Sequence, residues 1–421
     1  MPAEVTRRKF VSHAAVGAAA LAGGVVAGRF LPVALGMEAE AKVRYGTRRK
    51  LAITEARVQM VDQTYVYHWA FMDEDALKPM PSMPGPLIQA ISGEAVSLTI
   101  TNHLEEAHGF RIPGVGGVVG GGVTIAPHET VKLNFDAPKG GSYLYYDHLN
   151  APVNRVLGLH GPMIVLPTDG NTPYSDPTPM VQQLFNDLGT TDDHPGEAWN
   201  PERSKIWLFA SIDPRFNEMA ERGENIDPVT FKDEYLPRYF TINGLAGAYA
   251  SHDHSTVPTG RIGQPLVIRL MNAGMVNHSP HIHGNHVYIL SQIDENLDNQ
   301  VQENVWFLDT HTVGPDQRMD WLLPFHRPPD IAGDESIPLR ERAKEELGLT
   351  LGDVPQSPLA YPMHCHMEMS QTAAGGNYPQ GLVTHWEITG DLDGVDFPHS
   401  DPVERGGENT ELMEEQAHGN P

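Results

Sequence analysis

Two groups of side chains in the second half of this chain have the types and spacing of metal ligands. The first is His278-Ser279-Pro280-His281-Ile282-His283-Gly284, and the second is His364-Cys365-His366. In a β-strand successive side chains project to opposite faces, so His281 and His283 share one face, as do His364 and His366, while Cys365 turns the other way. One thiol is thereby sent toward a domain interior and imidazoles gather on the other side. Imidazole and thiolate together suit copper, and a His and Cys site with a weak axial ligand is the blue-copper pattern. A single histidine reads as a surface or satisfied core residue. Five of them in two motifs, around the only cysteine of the chain, ask for a common explanation, and one cysteine cannot form an internal disulfide.

The elements that must position these residues are written twice. Gly93-Glu94-Ala95-Val96-Ser97-Leu98-Thr99-Ile100-Thr101-Asn102 alternates apolar residues as a half-buried strand does, and Gly263 to Asn272 repeats the pattern. Counting on from each asparagine, His108 matches His278, Arg111 matches His281, Pro113 matches His283 and Gly114 matches Gly284. Tyr146-Asp147-His148 falls where His364-Cys365-His366 falls, and each is followed by a glycine and a short apolar strand. The chain therefore reads as a duplicated β-domain of short alternating strands, an antiparallel sandwich or barrel. The expected division is an N-terminal domain over 45–168, a linker rich in Pro, Asp, Asn and Thr over 169–202, and a C-terminal domain over 203–393 carrying most ligands. An acidic tail over 394–421 follows. One helix is expected inside the second domain, from Ser336 as N-cap to Leu349, with Leu339, Ala343 and Leu347 on one face.

With 421 residues the chain exceeds the roughly 250–300 at which single cores stop growing, in keeping with two domains. Its 54 acidic and 29 basic side chains give a formal net charge of −25, which repels nucleic acid and anionic lipid. Residues 1–40 hold Thr6-Arg7-Arg8-Lys9-Phe10-Val11 before a soft apolar run from Ala14 to Ala27, which resembles a twin-arginine export signal. The run falls short of the ~20 residues a membrane span needs, so a periplasmic or extracellular protein with no stable span in its mature form is expected.

At the two histidine motifs the sequence resembles the multicopper oxidases, whose C-terminal ligand motifs are HxxHxH and HCH, over roughly residues 50–392. The resemblance implies two tandem cupredoxin-like Greek-key barrels and copper as cofactor. It makes His278 and Cys365 ligands of an electron-accepting type 1 copper and His281 a type 2 ligand. It gives His283, His364 and His366, with His148 from the first domain, to the type 3 pair. Several family ligands are replaced: the first HxH by Arg111-Ile112-Pro113, and the first His of the second motif by Tyr146. The second type 1 His is replaced by Ser370 or Asn377, depending on the direction of alignment, and Leu382 holds the axial place. One set survives complete, His148, His283 and His364, and resembles the three-histidine catalytic copper of two-domain nitrite reductases.

The resemblance thus implies an oxidoreductase with a reduced copper complement, acting on a small molecule such as dioxygen or nitrite and fed by an electron donor. Electrons would enter near Cys365 and pass through its neighbouring histidines. Asp147 is placed to orient water or relay a proton, and His366 and His281 to line the same cavity as ligands or proton donors. His108 reads as a vestige of a lost type 1 site, and Met367 and Met369 as buried packing. A two-domain chain of this family closes its cavity between subunits, which implies a homotrimer with His148 donated across the interface. The alternative is a copper-binding or scaffold protein without turnover. Replacing Arg7 and Arg8 with Lys is expected to retain folded protein in the cytoplasm, read by cell fractionation; normal export of the double variant would overturn the signal assignment.

Overall fold

The structure, a computed structural model, describes residues 47–293, 305–328 and 359–397, together with the backbone of a two-residue strand, Glu4–Val5. The expected helix at 336–349 lies outside these residues, as do the export signal apart from that short strand and the acidic tail beyond residue 397.

Each half folds as an all-β unit of the same topology. In the first, the strands run Pro81–Ser82, Tyr65–Asp73, Thr47–Gln59, Ala95–Asn102, Thr130–Asp136 across one sheet, and Glu4–Val5 pairs with Thr47–Gln59. A second sheet holds Gly141–Tyr146, His160–Leu166 and Ile88–Ile91. In the second half the sheet order is Tyr239–Ile242, Ser204–Ile212, Leu266–Asn272, Arg318–Leu323, Val287–Ile293, Trp306–Leu308. Thr259–Arg261, Val383–Gly390, Leu359–Cys365 and Pro280–Ile282 form its partner. The repeated segments sit in matching places: Thr47–Gln59 runs parallel to Ala95–Asn102, and Ser204–Ile212 parallel to Leu266–Asn272. Each unit closes on its own apolar core: in the first Phe110 stacks on Tyr145 and Phe71 meets both edge to face, and in the second Trp207, Trp321 and Trp386 are buried. These are two cupredoxin-like barrels in tandem.

A buried asparagine fixes the same loop in both barrels. Asn102 Nδ2 donates to the carbonyls of Glu106 (2.7 Å) and Ile125 (3.1 Å), and its Oδ1 accepts from Leu104 N (3.0 Å). Asn272 repeats this with Val276 O (2.8 Å), Val313 O (3.1 Å) and Gly274 N (2.9 Å). Buried loop backbone needs such partners, and these loops lead to His108 and His278.

The segment read as a linker is ordered rather than a free tether. Thr178 caps a helix, Pro179–Asp187, whose Val181, Leu184 and Phe185 are buried with Trp199 against Val267, Leu290 and Leu322 of the second barrel. Its composition reflects the caps and turns that bring the helix onto the sheet. Tyr174 from the same segment donates to Asp320 Oδ2 (2.8 Å), while Ser142 of the first barrel donates to Asp320 Oδ1 (2.6 Å). Arg269, directly across the ladder from Asp320, completes this polar patch. Leu144, Tyr146 and Ile164 meet Leu208, Met271 and Ala273 beside it.

Two imidazoles deep in the structure, His68 and His160, are fully buried, with Nδ1 of each bonded to a backbone carbonyl, Leu157 O (3.1 Å) and Arg155 O (2.8 Å). Burial lowers both to about 4. The unfolded chain therefore takes up protons at higher pH than the folded one, so the stability these groups lend is whole above about 6.5. It declines as pH falls toward 4, by up to about 3 kcal/mol each. His160→Gln is expected to flatten the pH dependence of the denaturant midpoint between pH 6.5 and 4 by about one proton; an unchanged slope would contradict it.

Candidate metal centre

The short strand Pro280–Ile282 pairs antiparallel with Leu359–Cys365, bringing His281 directly opposite His364. The backbone bonds His283 N to Pro362 O (3.0 Å) and His366 N to Ser279 O (2.8 Å) extend this register on either side. Because side chains alternate, His281, His283, His364 and His366 emerge on one face, while Cys365 points into the barrel. Ring centroids lie 4.7 Å apart for His281 and His283, 5.2 Å for His283 and His364, 4.8 Å for His281 and His366, and 5.1 Å for His364 and His366. His283 Nε2 and His364 Nε2 approach to 3.1 Å.

Among the described residues, His281, His283 and His364 form the one group of three or more His, Cys, Asp or Glu whose donor atoms all lie within 4.8 Å of one another. His281 is oriented from behind: its Nδ1 donates to Thr310 Oγ1 (2.6 Å) and to the Asp309 carbonyl (3.2 Å), leaving Nε2 as the nitrogen with a free lone pair. Burial lowers the pKa of His281 and His364, which favours the neutral form that coordinates. Converging neutral nitrogens with one tautomer fixed by outer hydrogen bonds fit a transition metal such as copper.

The interior side does not fit a blue-copper centre. Cys365 Sγ lies 3.6 Å from His278 Nδ1 and accepts a hydrogen bond from Ser279 N (3.2 Å), so one thiol and one imidazole are in place. Both side chains are fully buried; burial raises the thiol pKa and pushes His278, flanked by Phe209 and Phe240, down to about 3. Of the two candidates for the place of a second imidazole, Ser370 is buried and hydrogen-bonds the thiol, whereas Asn377 sits in an exposed turn. Leu382, also buried, cannot coordinate. No electron path through this pair is supported by its donor set.

In the first barrel His108 and Asp147 occupy the places of His278 and Cys365. His108 Nδ1 donates to Asp147 Oδ2 (2.8 Å), and both residues are fully buried. Asp147, expected to serve water or substrate, is instead enclosed: Asn154 Nδ2 and Leu149 N also donate to it, each at 2.8 Å. Its short side chain turns inward just past the strand Gly141–Tyr146 and is fully buried, away from the imidazole face. His148 points outward and is partly exposed, but it is not part of the three-histidine group within one chain. Tyr146, two residues before it, and Ile112, from the segment that replaces the first HxH, belong to the buried interior. Met367 and Met369, expected in the core, are 42% and 47% exposed, because the loop after His366 turns into a short 3-10 helix, Glu368–Gln371, at the surface. Sequence reading missed Thr310, which alternation alone could not bring beside His281.

Residues 80–170 match the family model described as multicopper oxidase. Over 206 residues the chain is 27% identical to a copper-containing nitrite reductase of Cereibacter sphaeroides, covering 47% of this chain and 50% of that protein. It is 28% identical over 135 residues to an L-ascorbate oxidase of Cucumis sativus, covering 30% of this chain and 23% of that one. The chain thus aligns with half or less of the length of these curated relatives. Among solved structures it is similar to a blue copper oxidase from Nitrosomonas europaea, with a TM-score of 0.57 and 19% identity, covering 82% of this chain and 86% of that chain.

Copper-loaded protein is expected to lack the intense visible thiolate-to-copper band, and Ser370→His to gain it, by absorption spectroscopy. A strong band in the unaltered protein would contradict the role given to Ser370.

Proposed function

We propose that this chain, whose residues 80–170 carry a multicopper oxidase domain, is a copper-dependent oxidoreductase with a reduced copper complement, acting outside the cytoplasm on a small molecule such as dioxygen or nitrite. The observation that carries this reading is the convergence of His281, His283 and His364 on one accessible face. Bound copper would supply the one-electron redox couple that the side chains themselves lack.

His283 and His364, with Nε2 atoms facing each other, would hold the metal. The complete family set adds His148, and its absence from the cluster within one chain favours donation from a neighbouring subunit in a head-to-tail homotrimer. His281, held by Thr310, fixes one wall of the site. His366 is exposed and adjacent to both His281 and His364, so it can hold a proton for the substrate or add a ligand. Among the described residues no helix is long and apolar enough to cross a membrane.

A second reading, copper binding without turnover, is favoured by the incomplete thiolate site at Cys365, since the expected electron entry lacks its ligands. Reduction of dioxygen or nitrite by copper-replete protein with a chemical reductant separates the two: copper retained without reduction would sink the enzyme reading, and zinc at full occupancy would sink both.

Assembly has its own test. Co-expressing His148→Ala with His283→Ala is expected to restore part of the copper content that each variant loses alone, measured per chain after purification. Restoration of none would overturn a shared site.

A further inference from the structure

A copper held partly by His148 requires that ring to be fixed, yet its Nδ1 is buried without a hydrogen-bond partner. The outer hydrogen bond that usually orients a metal-bound imidazole is therefore lacking. What surrounds the ring is backbone without side chains. A Cβ on Gly109 would lie 2.6 Å from Asp147 Oδ1 and 2.7 Å from His148 Nδ1, and one on Gly122 would lie 2.6 Å from Nε2.

The chain is pinned on both sides of His148 by one carboxylate. Asp147 Oδ1 accepts from Leu149 N, the residue that follows His148, and Oδ2 accepts from Asn154 Nδ2 and His108 Nδ1, each at 2.8 Å. Asp147 N in turn donates to Leu159 O (2.9 Å). His108 is the immediate neighbour of Gly109, so the bond that holds His108 to Asp147 also holds the glycine wall against the ring. A buried carboxylate with three donors is a rigid anchor, because losing any one leaves charge unsatisfied in the interior.

We propose that Asp147 is a positioning residue, which with His108, Asn154 and the bare walls of Gly109 and Gly122 sets the His148 imidazole in its metal-binding pose. The place that holds a thiol in the second barrel thus serves, in the first, to aim the histidine beside it. This rests on the reading of His148 as a copper ligand, and the test keeps the two apart.

Full-length Asp147→Ala, Asp147→Asn, Gly109→Ala and His148→Ala proteins would be compared in two ways: the ring position in crystals of metal-free protein, and Cu(II) affinity by chelator competition with the copper hyperfine spectrum. Asp147→Ala and Gly109→Ala are expected to displace the ring, weaken Cu(II) binding about ten- to a hundredfold and alter the hyperfine spectrum. Asp147→Asn, which keeps an acceptor for Leu149 N, should recover much of the wild-type behaviour. Gly109→Ala removes no hydrogen-bonding group, but its Cβ presses on Asp147 Oδ1 as well as on the ring, so it tests the carboxylate and the glycine wall together if Asp147→Ala does not fold. An unmoved ring in Gly109→Ala and in whichever Asp147 variants fold, with changes confined to thermal stability, would overturn the proposal. If His148→Ala binds Cu(II) as tightly as wild type, the copper reading of His148 fails and the ring position alone judges the positioning.

Discussion

The architecture of both barrels hangs on one side chain used twice. Asn102 and Asn272, each fully buried at the end of a central strand, hold the loop that follows through three or more hydrogen bonds to its backbone. An asparagine can do this because its amide both donates and accepts, and because a buried loop has no water to satisfy its own carbonyls and N–H groups. A hydrophobic residue of like size would leave those groups orphaned, at about 1–3 kcal/mol each. The anchored loop delivers His108 in one barrel and His278 in the other to the same interior position. In the second barrel it also starts the short strand that carries His281 and His283.

From that shared frame the barrels diverge by single residues. Where the second places a thiol 3.6 Å from an imidazole, the first places a carboxylate at 2.8 Å from one. The thiol needs little from its neighbours and can stay buried with a few weak contacts, among them Ser279 N, Ser370 and His278. The carboxylate must gather donors, and gathering them ties Asn154, Leu149 and His108 into one unit. Outside, the difference is reversed: four imidazoles stand together on the second barrel, and on the first His148 stands with tyrosine and arginine at the matching positions.

The duplicated strands, their alternation and the common face of the four imidazoles were legible in the sequence, because periodicity and offset carry them. The pairing of the two short strands sets His281 opposite His364 and turns both pairs to that one face. What was not legible arises from side chains meeting across long sequence distances. The helix Pro179–Asp187 reads locally as turn-rich linker, and only Val267, Leu290 and Leu322 on the other side of the sheet make it a docked element. The exposure of Met367 and Met369 depends on the course of a loop, which hydrophobicity does not encode. The repeat sets His108 opposite Asp147, as His278 lies opposite Cys365, but nothing in the sequence marks Asn154 as a further partner of that carboxylate.

The polar patch of Ser142, Tyr174, Arg269 and Asp320 has a consequence for shape. Apolar surfaces tolerate sliding, but a buried carboxylate receiving hydroxyls from two separate segments does so at only one relative placement. It therefore fixes the angle between the barrels, and with it the angle between the face bearing His148 and the face bearing His283 and His364. In any assembly that joins those faces head to tail, the rotation from one copy to the next is set within each chain before the copies meet. Were such chains to join head to tail, the placement that Asp320 holds between the barrels would bear on whether the ring closes, and after how many members.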